Sequence, residues 1–144
     1  MHIKSLLFNK GDSVITVEPD RSVADAARSL AVHRVGALVV SADGDHIDGI
    51  LSERDITWAV GNRGPAALDM LVRELMTREV TTCSPDDTTD HLMQVMTQRR
   101  IRHIPVVADG CLCGVVSIGD VVKHRLAELE TEAGTLHEYL NAGR

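Results

Sequence analysis

The chain has 144 residues, of which 44% are apolar, 25% are charged and only 2% are aromatic, and its formal net charge is −6 at pH 7. Because acidic and basic residues are interspersed without a basic block, the sequence lacks the patch that binding to a phosphate backbone requires, and we expect no nucleic-acid partner. Its apolar runs are far shorter than the roughly 20 residues that span a bilayer, and its N-terminus does not resemble a signal peptide. We therefore expect a cytoplasmic protein with no membrane partner.

The three cysteines, Cys83, Cys111 and Cys113, lie in apolar segments with strand-like patterns. An odd number of such residues in a reducing compartment predicts free, buried thiols. Cys111-x-Cys113 has the spacing of half a metal site, but the sequence has no second Cys pair and no His-Glu-x-x-His motif. We therefore predict no metal site.

An internal repeat organises the chain. Residues 49–56 read Gly, two aliphatic residues, Ser, two variable residues, Asp and one aliphatic residue, and residues 114–121 repeat that pattern. An Asp-Gly pair precedes each copy, at 43–44 and at 109–110. The offset between the copies is 66 residues before this turn and 65 after it. Two structurally equivalent units are therefore expected.

Each unit has the predicted element order β-α-β-β-α. In the first unit we predict a strand at 14–17 that ends near Pro19, followed by a helix capped by Ser22. A hairpin then follows, with strands at 37–40 and 47–51 joined by a turn at Asp43-Gly44, and a second helix begins near Asp55. In the second we predict a strand at 80–83, a helix capped by Thr88 or Thr89, strands at 104–107 and 112–116, and a helix from near Asp120. A three-stranded sheet with two helices buries little alone, so we expect the two units to pack sheet to sheet.

Between the units, Pro65 is predicted to begin a short helix that runs through Met76. The predicted organisation is repeat 1 at 8–62, a linker helix at 63–75, repeat 2 at 76–126 and an amphipathic helix at 127–144. Apolar residues in this last region alternate in steps of four and three, the spacing of a coiled coil, at Val122, Leu126, Leu129, Ala133, Leu136 and Leu140. This stripe either packs against the module's own surface or, as we favour, against a second copy of the chain. Because a two-fold dimer is the commonest arrangement for soluble oligomers, we expect a homodimer.

The β-α-β-β-α order, the doubled Gly-h-h-Ser-x-x-Asp-h signature (h, aliphatic) and the aliphatic strands at 35–40 and 101–107 resemble the CBS domain family. The resemblance covers residues 8–126, nearly the whole chain. It implies an α/β (α+β) fold in which two repeats form a pseudo-twofold CBS pair, with the C-terminal helix added. It also implies that adenosine-containing ligands bind in clefts between the repeats. There the signature Asp holds the ribose hydroxyls, and a carboxylate is suited to this because it only accepts hydrogen bonds.

Carried over by position, the resemblance gives two candidate ligand clefts. The first, which we favour for an adenine nucleotide, comprises Gly11, Asp12, Val35, Gly36, Ala37, Arg102, His103, Ser117, Gly119 and Asp120. The second comprises Ser52, Arg54, Asp55, Met76, Thr77 and Ile101, with Arg102 adjoining it.

Several of these residues also have purely structural interpretations. Asp55 and Asp120 are each suited to be a helix N-cap. Arg102 would serve equally well as a surface charge, and His103 as a half-buried histidine. Arg54 has the chemistry either to clamp a phosphate or to fill the second cleft and pair with Asp55. Trp58 is expected to pack its helix onto the core.

The sequence contains no catalytic constellation such as Gly-x-Ser-x-Gly or a phosphate-binding loop with Lys-Ser/Thr. We therefore predict a regulatory module that binds AMP, ADP, ATP or NAD(H), has no catalysis of its own and requires no cofactor. A protein target, not identified by the sequence, would read the bound state. The alternative is a dimeric protein-interaction module with vestigial clefts.

Overall fold

The computed structural model of the protein describes residues 1–10 and 14–143. It contains two similar halves, each with a small sheet and helices, as the sequence predicts. The first repeat is preceded by α1 (Ile3–Lys10) and holds β1 (Thr16–Val17), α2 (Val23–His33), β2 (Ala37–Val40), β3 (Gly49–Ser52) and α3 (Glu53–Arg63). The second is preceded by a 3-10 helix (Gly64–Asp69) and α4 (Val72–Leu75) and holds α5 (Thr89–Arg99), β4 (His103–Ala108), β5 (Cys111–Ser117) and α6 (Ile118–Ala142).

The two sheets differ in their first strand. In the first repeat β1 runs parallel to β2, and β2 runs antiparallel to β3. In the second repeat β4 and β5 pair antiparallel, and the strand predicted at 80–83 is reduced to one parallel bridge between Cys83 and Val106. The next bond of a parallel ladder would run from the N–H of residue 105 to the carbonyl of Thr81, but Pro105 has no N–H. The second sheet therefore stays two-stranded.

The helices begin at polar caps that the sequence largely predicts. Ser22 and Thr88 accept hydrogen bonds from the third residue of their helices and so cap α2 and α5. At α3 and α6 the caps are Ser52 and Ser117, and the signature aspartates are the third helical residues, which complete capping boxes. The structural interpretation of the aspartates as N-caps was therefore wrong by three positions.

The helix that precedes each repeat packs on the other repeat. The N–H of Ile3 in α1 donates to the carbonyl of Asp87 at 2.8 Å, and the N–H of Val72 in α4 donates to the carbonyl of Arg21 at 2.8 Å. The two bonds are equivalent in the two halves, because Arg21 and Asp87 are separated by the repeat offset of 66 residues. We call this arrangement, in which each leading helix packs on the other repeat, the exchange of leading helices. It connects the two repeats, and the sequence did not predict it.

Two aliphatic cores result. The first is formed by Val17, Val23, Ala26, Leu30, Leu38, Val40, Leu51, Ile56 and Val72. The second is formed by Ile3, Leu6, Leu7, Cys83, Leu92, Met96, Ile104, Val106, Val116 and Val121. Trp58 is not a core residue: it is 69% exposed, because α3 turns Ile56 and Ala59 toward the interior. The prediction for Trp58 was wrong.

The linker is less regular than the single helix predicted from Pro65 to Met76. Gly64 adopts a φ of 69°, which ends α3, and the 3-10 helix then stops at Asp69. Leu71 forms an antiparallel bridge with Ser22, and the N–H of Val23 donates to the carbonyl of Met70 at 2.8 Å. This pairing with the start of α2 holds the chain extended and divides the predicted helix.

The last helix, α6, is one continuous element of 25 residues that crosses the predicted boundary at residue 126. Val121 is buried, but Leu126, Leu129 and Leu136 are 55%, 45% and 59% exposed. The stripe therefore does not pack against the module's own surface, and that alternative was wrong. None of the helices in the described residues combines the length and apolar character of a membrane span.

Candidate functional site

A cavity of about 250 Å³ lies between the two repeats. We call it the Asp55 cleft. Its walls come from the start of β2, the junction of β3 and α3, the segment after α4, and the approach to β4. They comprise Gly36, Ala37, Ile50, Ser52, Glu53, Arg54, Asp55, Thr77, Glu79, Val80, Thr81, Arg100, Ile101, Arg102 and His103.

The capping box at the start of α3 places Asp55 on the cleft wall. Asp55 Oδ2 accepts the Ser52 N–H at 2.9 Å, and Ser52 Oγ accepts the Asp55 N–H at 3.2 Å. Among the described residues no hydrogen bond engages the other carboxylate oxygen, Oδ1. The box thus fixes a carboxylate with a free acceptor beside a helix N-terminus, where the helix dipole favours a bound anion.

Three arginines, Arg54, Arg100 and Arg102, line the cleft and are solvent-exposed. None of the ion pairs within the described residues joins Arg54 to Asp55, so the expected alternative of an internal Arg54–Asp55 pair is not observed. Arg100 ends α5 in the left-handed conformation, with φ 55°. Arg34 ends α2 in the same conformation, with φ 54°, so this is a common helix ending and not a mark of the cleft. The arginines supply planar donors suited to phosphate.

His103 packs against Gly36 across the cleft. A Cβ at Gly36 would lie 3.0 Å from His103 Cε1, so a larger residue there would push the imidazole back by a few tenths of an ångström. Burial lowers the pKa of His103, and the nearby positive charge of Lys10 lowers it further. The imidazole is therefore expected to be neutral near pH 7 and to offer the cleft one donor and one acceptor.

The second signature forms a different arrangement around Asp120. Asp120 Oδ2 accepts the Ser117 N–H at 2.9 Å and also the Lys10 ammonium at 2.6 Å. Lys10 Nζ donates to the carbonyl of Val115 at 2.7 Å as well. Burial raises the pKa of Asp120, but the hydrogen bonds from Lys10 and Ser117 outweigh it and leave the pKa below its usual value. An internal cation thus occupies the position beside this carboxylate.

The CBS domain model matches the chain twice, at residues 10–62 and 72–127. The chain belongs to the CBS domain family. Its two matches cover most of the sequence and coincide with the two halves of the fold, so the resemblance predicted from the doubled signature is confirmed.

Similar proteins share this arrangement. The CBS domain-containing protein CBSX3, mitochondrial, of Arabidopsis thaliana is 36% identical over 149 residues, covering 98% of this chain and 72% of that protein. A crystal structure of a CBS-domain containing protein from Agrobacterium tumefaciens is 48% identical with a TM-score of 0.83, covering 87% of this chain and 99% of that one. The CBS domain pair of protein MJ0100, solved with 5′-methylthioadenosine and S-adenosyl-L-methionine, is 26% identical with a TM-score of 0.78, covering 89% of this chain and 98% of that one. CBS pairs are thus regulatory modules that bind adenosine ligands in some relatives.

The CBS pair brings together residues that the sequence assigned to two clefts. The Asp55 cleft holds Ser52, Arg54, Asp55, Thr77 and Ile101 from the second predicted cleft, and Gly36, Ala37, Arg102 and His103 from the first. Of the other residues of the first predicted cleft, Ser117, Gly119 and Asp120 do not line this cavity.

Two further predicted residues, Met76 and Val35, also lie outside this cavity. Met76 packs against Gly49, where a Cβ would lie 2.7 Å from its sulfur, and so belongs to the core rather than to a cleft. Val35 lines a shallow groove between α2 and α3. Gly11 and Asp12 lie outside the described residues.

The sequence did not predict several residues of the CBS cleft. These are Ile50, Glu53, Glu79, Val80, Thr81 and Arg100. Ile50 and Glu53 lie inside the signature at 49–56, and could have been found by counting its aliphatic and variable positions as candidates. Arg100 immediately precedes the strand-like 101–107 segment, where the end of a helix was already expected. Glu79 to Thr81 carry no local signal, because only the packing of the repeats places them there.

Proposed function

We propose that this CBS pair is a regulatory module that binds an adenosine mononucleotide in the Asp55 cleft. The observation that carries the proposal is a cavity shared by both repeats with a fixed carboxylate on its wall. The adenosine ligands of the MJ0100 pair support the ligand class.

The preference for the Asp55 cleft over the Asp120 side rests on what each carboxylate already binds. Lys10 lies 2.6 Å from Asp120, so a ribose would have to displace a charged donor there. Within residues 1–10 and 14–143, the Asp55 carboxylate accepts only the Ser52 N–H, and one oxygen is left to accept from ribose hydroxyls. This preference reverses the one drawn from the sequence.

The choice among adenosine ligands follows from charge and volume. Arg54, Arg100 and Arg102 favour a phosphate over an uncharged 5′ group. Small-molecule sites usually occupy about 300–1,000 Å³, and a cavity of about 250 Å³ lies just below that range. AMP, followed by ADP and ATP, therefore fits the cleft better than NAD(H).

The regulatory step would be a shift in the orientation of the repeats. A ligand held by Asp55 of the first repeat and Arg102 of the second stabilises the arrangement in which both contacts form. The module itself would carry out no chemistry, and its output would be a changed surface for a protein target. In this proposal no cofactor is needed for the effect.

The test is isothermal titration calorimetry with AMP, ADP, ATP, NAD, S-adenosylmethionine and GMP. The two repeats offer a matched pair of variants, Asp55→Asn and Asp120→Asn, because each aspartate has the same position in a capping box. We expect AMP binding with a stoichiometry of one, at least tenfold weaker in Asp55→Asn and little changed in Asp120→Asn. Equal losses in both variants, or a loss in Asp120→Asn alone, would contradict the choice of cleft.

The second candidate function is a dimeric interaction module with a vestigial cleft. The exposed apolar stripe on α6 favours it. If none of the six compounds binds to the folded wild-type chain at millimolar concentration, the sensor proposal fails and this candidate replaces it.

A further inference from the structure

The turn between β2 and β3, residues 41–48, contacts the second repeat directly. The N–H of Leu112 in β5 donates to the carbonyl of Asp45 at 2.8 Å. Within the described residues this is the only backbone hydrogen bond that joins residues 14–63 to residues 80–142, since the other such bonds between the halves involve segments 1–10 and 64–79. We propose that this turn is a clasp between the two repeats and that protonation of His46 tightens it. The proposal does not depend on ligand binding.

The hairpin turns of the two repeats differ in length. In the second repeat Asp109 and Gly110 have φ values of 52° and 78°, which are typical of a tight two-residue turn. In the first repeat Val40 pairs with Gly49, and residues 41–48 all lie between them. The residue that changes the repeat offset from 66 to 65 is therefore part of this wider turn. The added length brings its backbone to β5.

The carboxylate of Asp43 sets the direction of the Asp45 carbonyl. Asp43 Oδ1 accepts the Asp45 N–H at 2.9 Å and the His46 N–H at 2.8 Å. The His46 N–H and the Asp45 carbonyl belong to one planar trans peptide group, so they point in opposite directions. When Asp43 binds that N–H, the carbonyl therefore points out of the turn, where the Leu112 N–H meets it.

The His46 side chain closes this arrangement through a contact that depends on its charge. Its Nδ1 lies 2.6 Å from Asp43 Oδ2. The hydrogen bond to Asp43 raises the pKa of His46, and the charges of Asp43, Asp45 and Asp48 raise it further. Hydrogen bonds from His46 hold the pKa of Asp43 well below its usual range, so Asp43 stays ionised. A protonated His46 therefore makes a charge-assisted bond to Asp43, which is stronger than the bond of a neutral ring.

The direction of the pH effect follows from the raised pKa of His46. Its stabilising contribution is fully present below the unfolded pKa of about 6.5 and is lost as pH rises through the folded pKa. On the facing strand, the titratable residues beside Leu112 are the thiols Cys111 and Cys113, and burial raises the pKa of Cys113. Because the His46 and Asp43 side chains are 73% and 53% exposed, we expect a local effect on the clasp rather than a large change in global stability.

The first test is amide hydrogen exchange of the full chain by NMR at pH 6 and pH 8, expressed as protection factors. We expect the protection of the Leu112 amide to be several-fold higher at pH 6. The reference is the Val107 amide, which donates to Cys83 within the second repeat and should change little. His46→Gln should abolish the difference, whereas His33→Gln, which changes an exposed histidine at the end of α2, should retain it. An equal change at Leu112 and Val107, no change at Leu112, or a change that persists in His46→Gln overturns the proposal.

The second test addresses the role of Asp43. In Asp43→Asn the amide oxygen can still accept the two backbone N–H groups, but the NH₂ group cannot accept from His46. The pKa of His46, followed by NMR titration, should fall toward about 6.5, and the pH dependence at Leu112 should disappear. Asp48→Asn is the control, because Asp48 bonds the Ala42 N–H and not His46, so the pH dependence should persist. An unchanged His46 pKa in Asp43→Asn overturns the proposed mechanism.

Discussion

The two repeats of this CBS pair share a framework but differ in what reaches their signature aspartates. When the segments that begin with α1 and α4 are aligned, Ile3 matches Val72 and Lys10 matches Glu79, at an offset of 69 residues. Because α1 continues as a helix through Lys10, its ammonium reaches Asp120 at 2.6 Å. Because α4 ends at Leu75, the chain then pairs with Ile50 through Thr77, and Glu79 lines an open cleft. A duplicated motif therefore yields one occupied and one accessible carboxylate.

The largest expected difference between the repeats concerns two equivalent glycines. A Cβ at Gly49 would lie 2.7 Å from Met76 Sδ and 2.8 Å from the backbone oxygen of Thr77. At Gly114 it would lie 2.6 Å from Leu7 Cδ2, the end of a flexible side chain. Gly49→Ala should therefore destabilise the fold by about 1–3 kcal/mol, the range for overpacking, and Gly114→Ala by less. Urea unfolding of both variants measures this, and equal costs would contradict the comparison.

A smaller effect is expected from removing the cation beside Asp120. Since the folded pKa of Asp120 is lowered, its contribution to stability is present above the unfolded pKa of about 3.9 and is lost as pH falls through the folded pKa. Lys10→Met should cost at most about 1 kcal/mol at pH 7, because the pair is partly solvent-exposed. The cost should shrink below pH 4.

Urea unfolding at pH 7 and pH 3 checks this prediction. Lys4→Met is the control, because Lys4 lies on the same helix but is 3.8 Å from Asp86 with both side chains largely exposed. If Lys10→Met lowers the free energy of unfolding equally at both pH values, then the packing of the Lys10 side chain, and not its charge, stabilises the fold.

The smallest expected effect concerns the C-terminal ends of α3 and α6, the two helices that start within the signatures. Gly64 stops α3 with a positive φ, whereas α6 continues past the equivalent position. Gly134 lies within that extension, and a Cβ there would meet nothing within 4 Å. Gly134→Ala should favour the local helix by up to about 1 kcal/mol with little change in global unfolding. Hydrogen exchange of residues 130–140 should slow, and unchanged exchange would contradict this prediction.

Much of the fold could be predicted because the repeat made each pattern visible twice. Helix α2 and strand β2 agree with expectation because Ser22 and the aliphatic run at 37–40 are local signals. The capping role of Ser52 and Ser117 was also encoded, since Ser-x-x-Asp before a helix is a capping-box pattern. It was overlooked because the same aspartate has a second, ligand-related interpretation.

The site could be predicted only in part, because its decisive contacts join distant segments. Lys10 and Asp120 are 110 residues apart, and nothing near either residue indicates the other. Met76 was assigned to a cleft because it precedes Thr77, yet the space left by Gly49 draws its side chain into the core. Both outcomes follow from the exchange of leading helices, which no local pattern encodes.

The continuity of α6 has a mechanical consequence. One helix begins at the Ser117 capping box, beside Asp120, and continues for 25 residues to the exposed leucines. At 1.5 Å per residue its length is about 37 Å. A tilt of about 10° at its start would displace its far end by roughly 6 Å, more than the spacing between neighbouring side chains. The helix would therefore act as a lever arm, turning a small rotation between the repeats into a large displacement at the far end of the molecule.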